Sequence, residues 1–418
     1  MSLTAPQIRI AVIGGGLSGL VAAHRLNELA QARGAKIEVT LFESGPRLGG
    51  VIGTERIGDY LVDTGADSFI TNKPAAVNLC RRLGIDHRLV ATAEQFRGAL
   101  VLYDGRPYPV PEGFQLMSPT AIWPMLVSPI LSPWGKLRMA MEYFVPRSTS
   151  ANAATSNRPE DLPDESLASF VRRRFGKEAL ERLVQPLVGG IYTSDPEKLS
   201  IAATMPRFLE MERDYGSLLV ATLFSKEAAS ARRQSQRGKA SASTGGSPAE
   251  AIDVKSSGAR YGLFAGLAGG MEDMLSVLRQ RATATCHVHL NTSVSQIDER
   301  EPSAGSSRFQ ITLTNDHTKH DCDAVIVAIP SYRAATLLEG IDLELARSLN
   351  EIEYASSAIV VTGHRLSDVA HPLNAFGLVI PQRERRQILA VSFSSRKFPD
   401  RAPQDSVLLR TFVGGALQ

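Results

Sequence analysis

The chain has 418 residues, of which 43% are hydrophobic and 21% are charged, as in an ordinary soluble enzyme of about two or three domains. Its net charge of +3 is too small to indicate an anionic partner, and we predict no nucleic-acid partner. The three cysteines are far apart and include no C-x-x-C pair, which argues against a disulfide framework or a metal site and favours a reducing compartment (Cys80, Cys286 and Cys322).

The chain begins with a β-α-β pattern. Ile8 to Ile13 is an apolar run typical of a buried parallel strand, and the apolar residues after it recur at helical spacing as far as Gly34. Lys36 to Phe42 alternates as a second strand, and a further helix is predicted from Pro74 to Arg88. This order predicts an α/β domain at the start of the chain.

Leu116 to Trp134 is an apolar segment almost as long as a membrane span, which needs about 20 residues. Its four prolines would break a helix repeatedly, so we predict no spanning helix. Two interpretations stay open: a loop wall packed inside the protein, or a surface that contacts a membrane or an apolar substrate. The N-terminus lacks a signal-peptide pattern, so we predict a cytoplasmic protein, with contact at the inner face of the membrane as an alternative.

The middle of the chain is predicted to be helical over residues 163–225, and Arg172 to Arg174 are predicted to form a solvated helix face. Residues 147–161 and 228–257 are poor in large apolar side chains and are predicted to be linker-like or disordered. Strands then return at residues 287–294, 308–314, 323–330, 358–362, 376–380, 388–393 and 407–413.

Three glycines follow the first strand and open the helix. In Gly14-x-Gly16-x-x-Gly19 the first permits the tight turn, the second lets a pyrophosphate approach the backbone, and the third lets the helix pack on the strand. The helix N-terminus then presents unpaired N–H groups to the phosphates. Glu43, 24 positions after Gly19, ends the second strand, where an acid can accept hydrogen bonds from a ribose. The pattern predicts a dinucleotide site.

A second glycine pair follows in the run Glu43-Ser-Gly-Pro-Arg47-Leu-Gly49-Gly50. Arg47 would lie near the phosphates, and bare backbone here favours a longer, permanently bound cofactor, FAD rather than NAD. The alternative is a surface turn rich in glycine and proline.

Three N-terminal motifs, GGGLSGL, ESGPRLGG and DTGADSF, resemble the flavin monoamine oxidase superfamily. Within it, residues 180–200 (LERLVQPLVGGIYTSDPEKLS), 375–381 (AFGLVIP) and 398–403 (FPDRAP) are similar to the oxygen-dependent protoporphyrinogen and coproporphyrinogen oxidases of haem biosynthesis. The likeness runs to residue 418, apart from the two stretches of low complexity.

The resemblance implies an FAD-dependent oxidation of a porphyrinogen to the porphyrin with O2 as acceptor. Six electrons would leave the ring in three flavin reductions, each giving one H2O2, by hydride transfer from a meso carbon to flavin N5 and loss of an N–H proton. Because the cofactor carries this chemistry, no catalytic side chain is predicted. The sequence likewise offers no nucleophile–base arrangement.

The resemblance also assigns cofactor residues. The glycine turn would hold the pyrophosphate, Glu43 the ribose and Val294 the adenine, although Val294 also reads as a plain core valine. Residues 65–68 would run beside the flavin ring. The full predicted set is Gly14, Gly15, Gly16, Leu17, Ser18, Gly19, Glu43, Ser44, Arg47, Val51, Gly65, Ala66, Asp67, Ser68 and Val294.

For the substrate, the resemblance implies that Phe376 packs on the macrocycle, with a core phenylalanine as the alternative. Gly189 and Gly190 would widen the cavity, or else end a helix. A cation should meet the substrate propionates. Eukaryotic relatives have an arginine where this chain has an apolar residue, so the predicted cations are Lys73 and Arg97, and protoporphyrinogen IX and coproporphyrinogen III both stay open.

The predicted fold class is α/β, with a discontinuous Rossmann-like FAD-binding domain, an inserted helical domain and a mixed-sheet substrate domain. The predicted divisions are residues 1–75 (FAD-binding, first part), 76–100 (connection), 101–225 (helical), 226–260 (low-complexity insertion), 261–330 (FAD-binding, second part) and 331–418 (substrate-binding).

The family closes with a glycine-rich segment that returns to the flavin, and this chain stops before it. We therefore expect this polypeptide alone to bind FAD weakly and to expose apolar surface. Alternatives to the porphyrinogen oxidase are a flavin-dependent amine oxidase of the same fold and a non-catalytic scaffold that binds porphyrin or protein. A homodimer is a further expectation.

Overall fold

The computed structural model describes residues 8–71, 73–111, 114–115, 118–119, 127–148, 164–222, 224, 264–301 and 307–416. The predicted low-complexity insertion at 226–260, nearly all of the stretch at 147–161 and the middle of the apolar segment lie outside these residues.

The described chain contains both helices and strands. The strands are β1 (Ile8–Ile13), β2 (Ile37–Phe42), β3 (Thr54–Ile57), β4 (Tyr60–Asp63), β5 (Phe69–Ile70), β6 (Leu89–Ala91), β7 (Leu100–Tyr103), β8 (Arg106–Pro109), β9 (Phe114–Gln115), β10 (Ser118–Pro119), β11 (Phe264–Leu267), β12 (His287–His289), β13 (Val294–Glu299), β14 (Phe309–Leu313), β15 (Lys319–Cys322), β16 (Ala324–Val327), β17 (Ser357–Arg365), β18 (Gly377–Val379), β19 (Ile388–Phe393) and β20 (Ser406–Gly414).

The helices are α1 (Leu17–Arg33), α2 (Ala75–Leu83), α3 (Pro133–Ala140), α4 (Leu167–Phe175), α5 (Lys177–Ala179), α6 (Gln185–Tyr192), α7 (Ile201–Thr204), α8 (Pro206–Tyr215), α9 (Glu272–Thr285), α10 (Ser331–Leu338), α11 (Leu343–Asn350) and α12 (Ser394–Lys397). A π-helical turn, Leu180–Val184, joins α5 to α6. Shorter 3-10 turns occupy Asp86–Arg88, Glu94–Phe96, Met141–Phe144, Leu366–Asp368 and Gln382–Glu384.

The N-terminal sheet is parallel, in the order β12-β2-β1-β16. The predicted first strand is confirmed, and α1 ends at Gly34, whose φ of +64° is left-handed. Leu20 of α1 and Leu275 and Leu278 of α9 pack with the strand residue Val12 in one buried core. The fold therefore sets the carboxyl end of β1 against the start of α1, where the glycine turn lies.

A mixed six-stranded sheet, β17-β20-β19-β18-β7-β8, forms the second large layer. Its neighbours are antiparallel except β18 and β7, which run parallel. The region predicted to be helical from residue 101 instead begins with strands β7 and β8. The Asp104-Gly105 pair, with both φ values positive, turns this segment back as a hairpin. The division into domains otherwise stays a prediction.

Helices α4 to α8 form an apolar layer around Phe170, Leu183 and Val188, which agrees with the helices predicted over residues 163–225. The predicted solvated face of Arg172 to Arg174 is wrong at Arg174, which is fully buried. Arg174 pairs with the buried carboxylates of Glu142 (3.0 Å) and Glu212 (2.5 Å). A helix face can carry a buried cation because two acids satisfy it.

Two other predicted elements also differ. The helix predicted from Pro74 to Arg88 is broken at Gly84, whose φ is +77°. The strand predicted at residues 287–294 is two strands in different sheets, because Asn291 turns the chain with a φ of +52°. Strand β12 joins the parallel sheet and β13 the antiparallel sheet β13-β14-β15. In the described part of the chain, every helix is too short or too polar to cross a bilayer.

Candidate functional site

The glycine turn after β1 has no room for side chains at its two ends. Gly14 has a φ of +106°, and a Cβ there would lie 2.5 Å from the carbonyl oxygen of Ala328. A Cβ on Gly19 would lie 1.8 Å from the carbonyl oxygen of Gly14. At Gly16, in contrast, the nearest atom to a Cβ would be the Cα of Gly50 at 4.0 Å. The two ends are closed by the fold, and the middle is open to a ligand.

The start of α1 points its unpaired backbone donors at this opening. Gly16 is the N-cap, with extended backbone and no capping side chain, and no acid lies in the first turn. The N–H groups of Leu17, Ser18 and Gly19 precede the first intrahelical bond, which Leu20 donates to the carbonyl of Gly16 (3.0 Å). Such an end favours an anionic ligand such as a pyrophosphate.

The Glu43 carboxylate is fixed at the edge of the same turn. Its Oε2 accepts a hydrogen bond from the N–H of Gly15 (2.7 Å), and its Oε1 accepts one from the N–H of Gly45 (2.7 Å). The Ser44 hydroxyl also donates to Oε1 (3.3 Å). These bonds hold the acid beside the helix N-terminus.

The second glycine pair packs directly on the first. The N–H of Gly49 donates to the carbonyl of Gly15 (2.8 Å), and a Cβ on Gly50 would lie 3.1 Å from the Cα of Gly16. The Arg47 guanidinium donates to the carbonyl of Gly50 (2.9 Å), so Arg47 holds this turn in shape. Val51 follows it and is 88% exposed.

A cavity of about 320 Å³ opens beside Glu43, and we call it the Glu43 cavity. It brings together four residues predicted for the cofactor: Gly14, Glu43, Ser44 and Val294. The other lining residues were not predicted for the site; they flank the predicted ones in the chain or come from α10 and the residues before it (Ile13, Phe42, Thr292, Ser293, Ser295, Ile329, Arg333, Thr336 and Leu337).

These features fit an adenine dinucleotide. The open side of Gly16 and the helix N-terminus suit the pyrophosphate, and the Glu43 cavity suits the adenosine, with Glu43 as acceptor for the ribose. A Cβ at Gly16 would project into this open side.

A second cavity, of about 290 Å³, lies between α6 and the six-stranded sheet, and we call it the Phe376 cavity. Asp67, Ser68, Gly190 and Phe376, all predicted site residues, line it. Further lining residues are Ala99, Leu187, Phe264, Gly377, Leu378, Val379, Ala390, Val391, Ser392, Lys397 and Phe412. Its walls are mainly apolar, with one polar edge.

The two predicted substrate glycines differ in position. A Cβ on Gly190 would meet Val379 at 3.2 Å and Ala390 at 3.7 Å, on the cavity wall. A Cβ on Gly189 would meet only Gln185, at 3.4 Å, and Gly189 is not among the residues that line the cavity. The alternative of a helix C-cap here is wrong, since α6 continues to Tyr192.

Neither predicted substrate cation lines the Phe376 cavity. Lys73 is exposed, and Arg97 lies 3.7 Å from the carboxylate of Glu94. The cation on the wall is Lys397, which sequence reasoning missed. The available signal was its position directly before the FPDRAP motif.

The polar edge of the cavity is an ionic cluster around Asp67. Its carboxylate is 3.0 Å from the Lys397 ammonium and 2.9 Å from the Arg410 guanidinium, and it accepts a hydrogen bond from Ser68 (2.8 Å). Burial alone would raise the pKa of Asp67, but Lys397 and Arg410 outweigh it and hold the pKa far below its usual range. Arg410 also donates to the carbonyl of Gly65.

Comparison with known proteins agrees with this arrangement. Residues 17–418 match the family described as flavin containing amine oxidoreductase. Coproporphyrinogen III oxidase of Bacillus subtilis is 30% identical over 97% of this chain and 77% of its own length. Protoporphyrinogen oxidase 2 of Arabidopsis thaliana is 28% identical over 98% of this chain and 75% of its own length.

Solved structures show the same fold. A candidate protoporphyrinogen oxidase from Exiguobacterium sp. 255-15 superposes with a TM-score of 0.76 at 24% identity, covering 98% of this chain and 77% of that chain. A putrescine oxidase superposes with a TM-score of 0.60 at 15% identity, covering 98% and 76%.

The fold and the glycine turn thus define a dinucleotide-binding flavoprotein of the α/β class. The chain belongs to the family of flavin containing amine oxidoreductases, and its cofactor is FAD. The predicted family and fold class are confirmed.

Proposed function

We propose that this chain is an FAD-dependent oxidase that converts a porphyrinogen to the porphyrin in haem biosynthesis. The observation that carries the proposal is the Phe376 cavity, an apolar space with one cationic edge. Two relatives, named coproporphyrinogen III oxidase and protoporphyrinogen oxidase 2, match nearly the whole chain and support this substrate class.

The proposed cofactor residues are those of the glycine turn, Glu43, the Arg47 turn and the Glu43 cavity. When bound, FAD would accept hydrogen from the ring and pass the electrons to O2, giving H2O2. The N–H groups at the start of α1 bind the diphosphate, and Glu43 orients the ribose. Residues 65–68 would contact the flavin, and Arg410 holds this segment through the carbonyl of Gly65.

The proposed substrate residues lie on the Phe376 cavity. Phe376 and Phe412 line the cavity and would pack on a macrocycle, and Gly190 lets α6 approach Val379 and Ala390 closely on the cavity wall. Asp67, whose pKa is held low by its two cations, stays ionised, so it fixes Lys397 rather than moving a proton. The side chains bind, orient and exclude water.

We propose O2 as the acceptor and the cytoplasm as the location, with contact at the membrane face. Support for the contact comes from an exposed apolar stripe along α3 and the turn after it: Trp134, Leu137, Met141 and Phe144. Flotation with lipid vesicles, compared between the native chain and a Trp134→Ser, Phe144→Ser variant, tests this contact.

The homodimer stays a prediction, which sedimentation would test.

The reaction is tested with purified protein supplied with FAD and air. Protoporphyrinogen IX and coproporphyrinogen III are each offered, and porphyrin fluorescence and H2O2 are followed. Porphyrin formed with about three H2O2 per ring supports the proposal. Polyamines are offered in parallel, and aldehyde formation without porphyrin would favour the amine oxidase instead. Porphyrin binding without O2 uptake would favour the scaffold.

A further inference from the structure

Lys397, the last residue of α12, is a mostly buried cation on the wall of the Phe376 cavity. Its side chain is 14% exposed, and its ammonium donates to Asp67 (3.0 Å) and to the hydroxyl of Ser68 (2.8 Å). An ammonium has three donors. Within the part of the chain that the structure describes, the third N–H has no acceptor.

The charges around Lys397 do not balance. Asp67 meets both Lys397 and Arg410, so one carboxylate faces two cations. The neighbouring pair of Asp63 and Arg401, 3.6 Å apart, balances itself. The Nε of Arg410 is buried and has no hydrogen-bond partner among the described residues. Among the described residues, this cluster therefore carries one surplus positive charge beside the cavity.

An uncompensated buried charge is costly, and an anion beside it removes the cost. The aromatic rings of Phe264 and Phe398 lie 5.5 Å and 5.1 Å from the Lys397 ammonium and offset part of the charge. They supply no acceptor of full charge. The cavity is therefore suited to a ligand with a large apolar body and a carboxylate at this edge.

We propose that Lys397 binds a carboxylate of the substrate, with Asp67 and Arg410 as positioning residues that hold the ammonium at the cavity wall. This inference rests on the proposed function and assigns the ligand group to a propionate side chain of the tetrapyrrole. Lys397 thereby takes the role that the sequence predicted for Lys73 or Arg97, which do not line the cavity.

The test compares a porphyrin that carries free carboxylates with one that lacks them. FAD-loaded protein is titrated with coproporphyrin III and with its tetramethyl ester, and binding is read from porphyrin fluorescence, which needs no turnover. The variant is Lys397→Met, which removes the charge and keeps the bulk. Arg410 still neutralises Asp67, so we expect the variant to fold. Lys397→Arg restores the charge.

The chain offers a matched control. Lys198 donates to Glu353 (2.8 Å), with both side chains exposed, so Lys198→Met breaks a lysine–carboxylate pair away from the cavity. Its binding of both porphyrins should equal that of the native chain.

We expect Lys397→Met to weaken the binding of coproporphyrin III about 10- to 100-fold, as for loss of a hydrogen bond between charged groups. The affinity for the tetramethyl ester should stay unchanged. Lys397→Arg should recover most of the loss. The proposal would be overturned if Lys397→Met bound the free acid as tightly as the native chain does. It would also be overturned if the variant lost affinity equally for the acid and the ester. Should the native chain bind neither porphyrin, the proposed function fails with it, whereas tight binding that ignores Lys397 overturns only this inference.

Discussion

The Glu43 carboxylate accepts a hydrogen bond of 2.7 Å from the backbone N–H of Gly15, so the acid that follows β2 is tied to the glycine turn that follows β1. Two neighbouring parallel strands bring these residues together at one edge of the sheet. The carboxylate takes a second amide N–H from Gly45. It therefore shapes both turns that would contact the dinucleotide.

Glu43→Gln should weaken FAD binding. The amide nitrogen of glutamine would face one of the two backbone N–H donors, and the hydrogen bonds to a charged acceptor would be lost. We expect the Kd for FAD to rise about 10- to 100-fold, measured by flavin fluorescence titration. Glu55→Gln, on the exposed strand β3, should leave the Kd unchanged. An unchanged Kd in Glu43→Gln would remove Glu43 from the site.

Gly16→Ala should lose FAD binding, whereas Gly19→Ala should lose stability. The Cβ at position 16 meets nothing closer than 4.0 Å, so Gly16→Ala should keep its thermal unfolding temperature and lose FAD binding. The Cβ at position 19 would overlap the carbonyl oxygen of Gly14, so Gly19→Ala should cost about 1 to 3 kcal/mol or more of stability. Calorimetry without cofactor, followed by flavin titration, separates the two. The reverse pattern would contradict the site.

Gly190→Val should obstruct the Phe376 cavity. Its side chain would press against Val379 and Ala390, which line the cavity, so we expect a raised KM for porphyrinogen at an unchanged FAD content. Gly189→Ala, directed at Gln185, should change the KM far less. Steady-state kinetics on both variants check this, and equal effects would show that the cavity wall is not where the substrate binds.

Asp67→Asn should destabilise the protein in a pH-dependent way. The pKa of Asp67 is depressed in the folded state, so its ionic contacts contribute stability above the unfolded carboxyl pKa of about 4, and this contribution is lost as the pH falls below it. We expect the variant to lose about 3 to 5 kcal/mol at neutral pH. Urea unfolding from pH 7 downwards should show the gap to the native chain narrowing below about pH 4. A gap that widens on acidification would contradict the depressed pKa.

The sequence was most informative where function depends on backbone. The glycine turn, Glu43 and the strand before them could be predicted because one β-α-β unit places all of them, and the spacing alone defines it. The contact between Gly16 and Gly50 joins the glycine turn to the second glycine pair, and the sequence alone did not predict it.

Side chains brought together from distant segments could not be predicted. Asp67, Lys397 and Arg410 meet only because β20 and α12 pack against the segment after β4. A basic run predicts a solvated helix face at Arg174 because it carries no sign of the two acids that pair with this residue across the fold. Lys73 is predicted from the family resemblance alone, yet it does not line the Phe376 cavity.

Electrons should pass directly from a porphyrinogen to bound flavin, and flavin absorbance without oxygen measures this transfer. FAD-loaded protein is mixed anaerobically with protoporphyrinogen IX, with coproporphyrinogen III or with putrescine. We expect at least one porphyrinogen to bleach the flavin as porphyrin fluorescence appears, and air to restore the colour. Flavin that stays oxidised with both porphyrinogens, or that is bleached only by the amine, would contradict it.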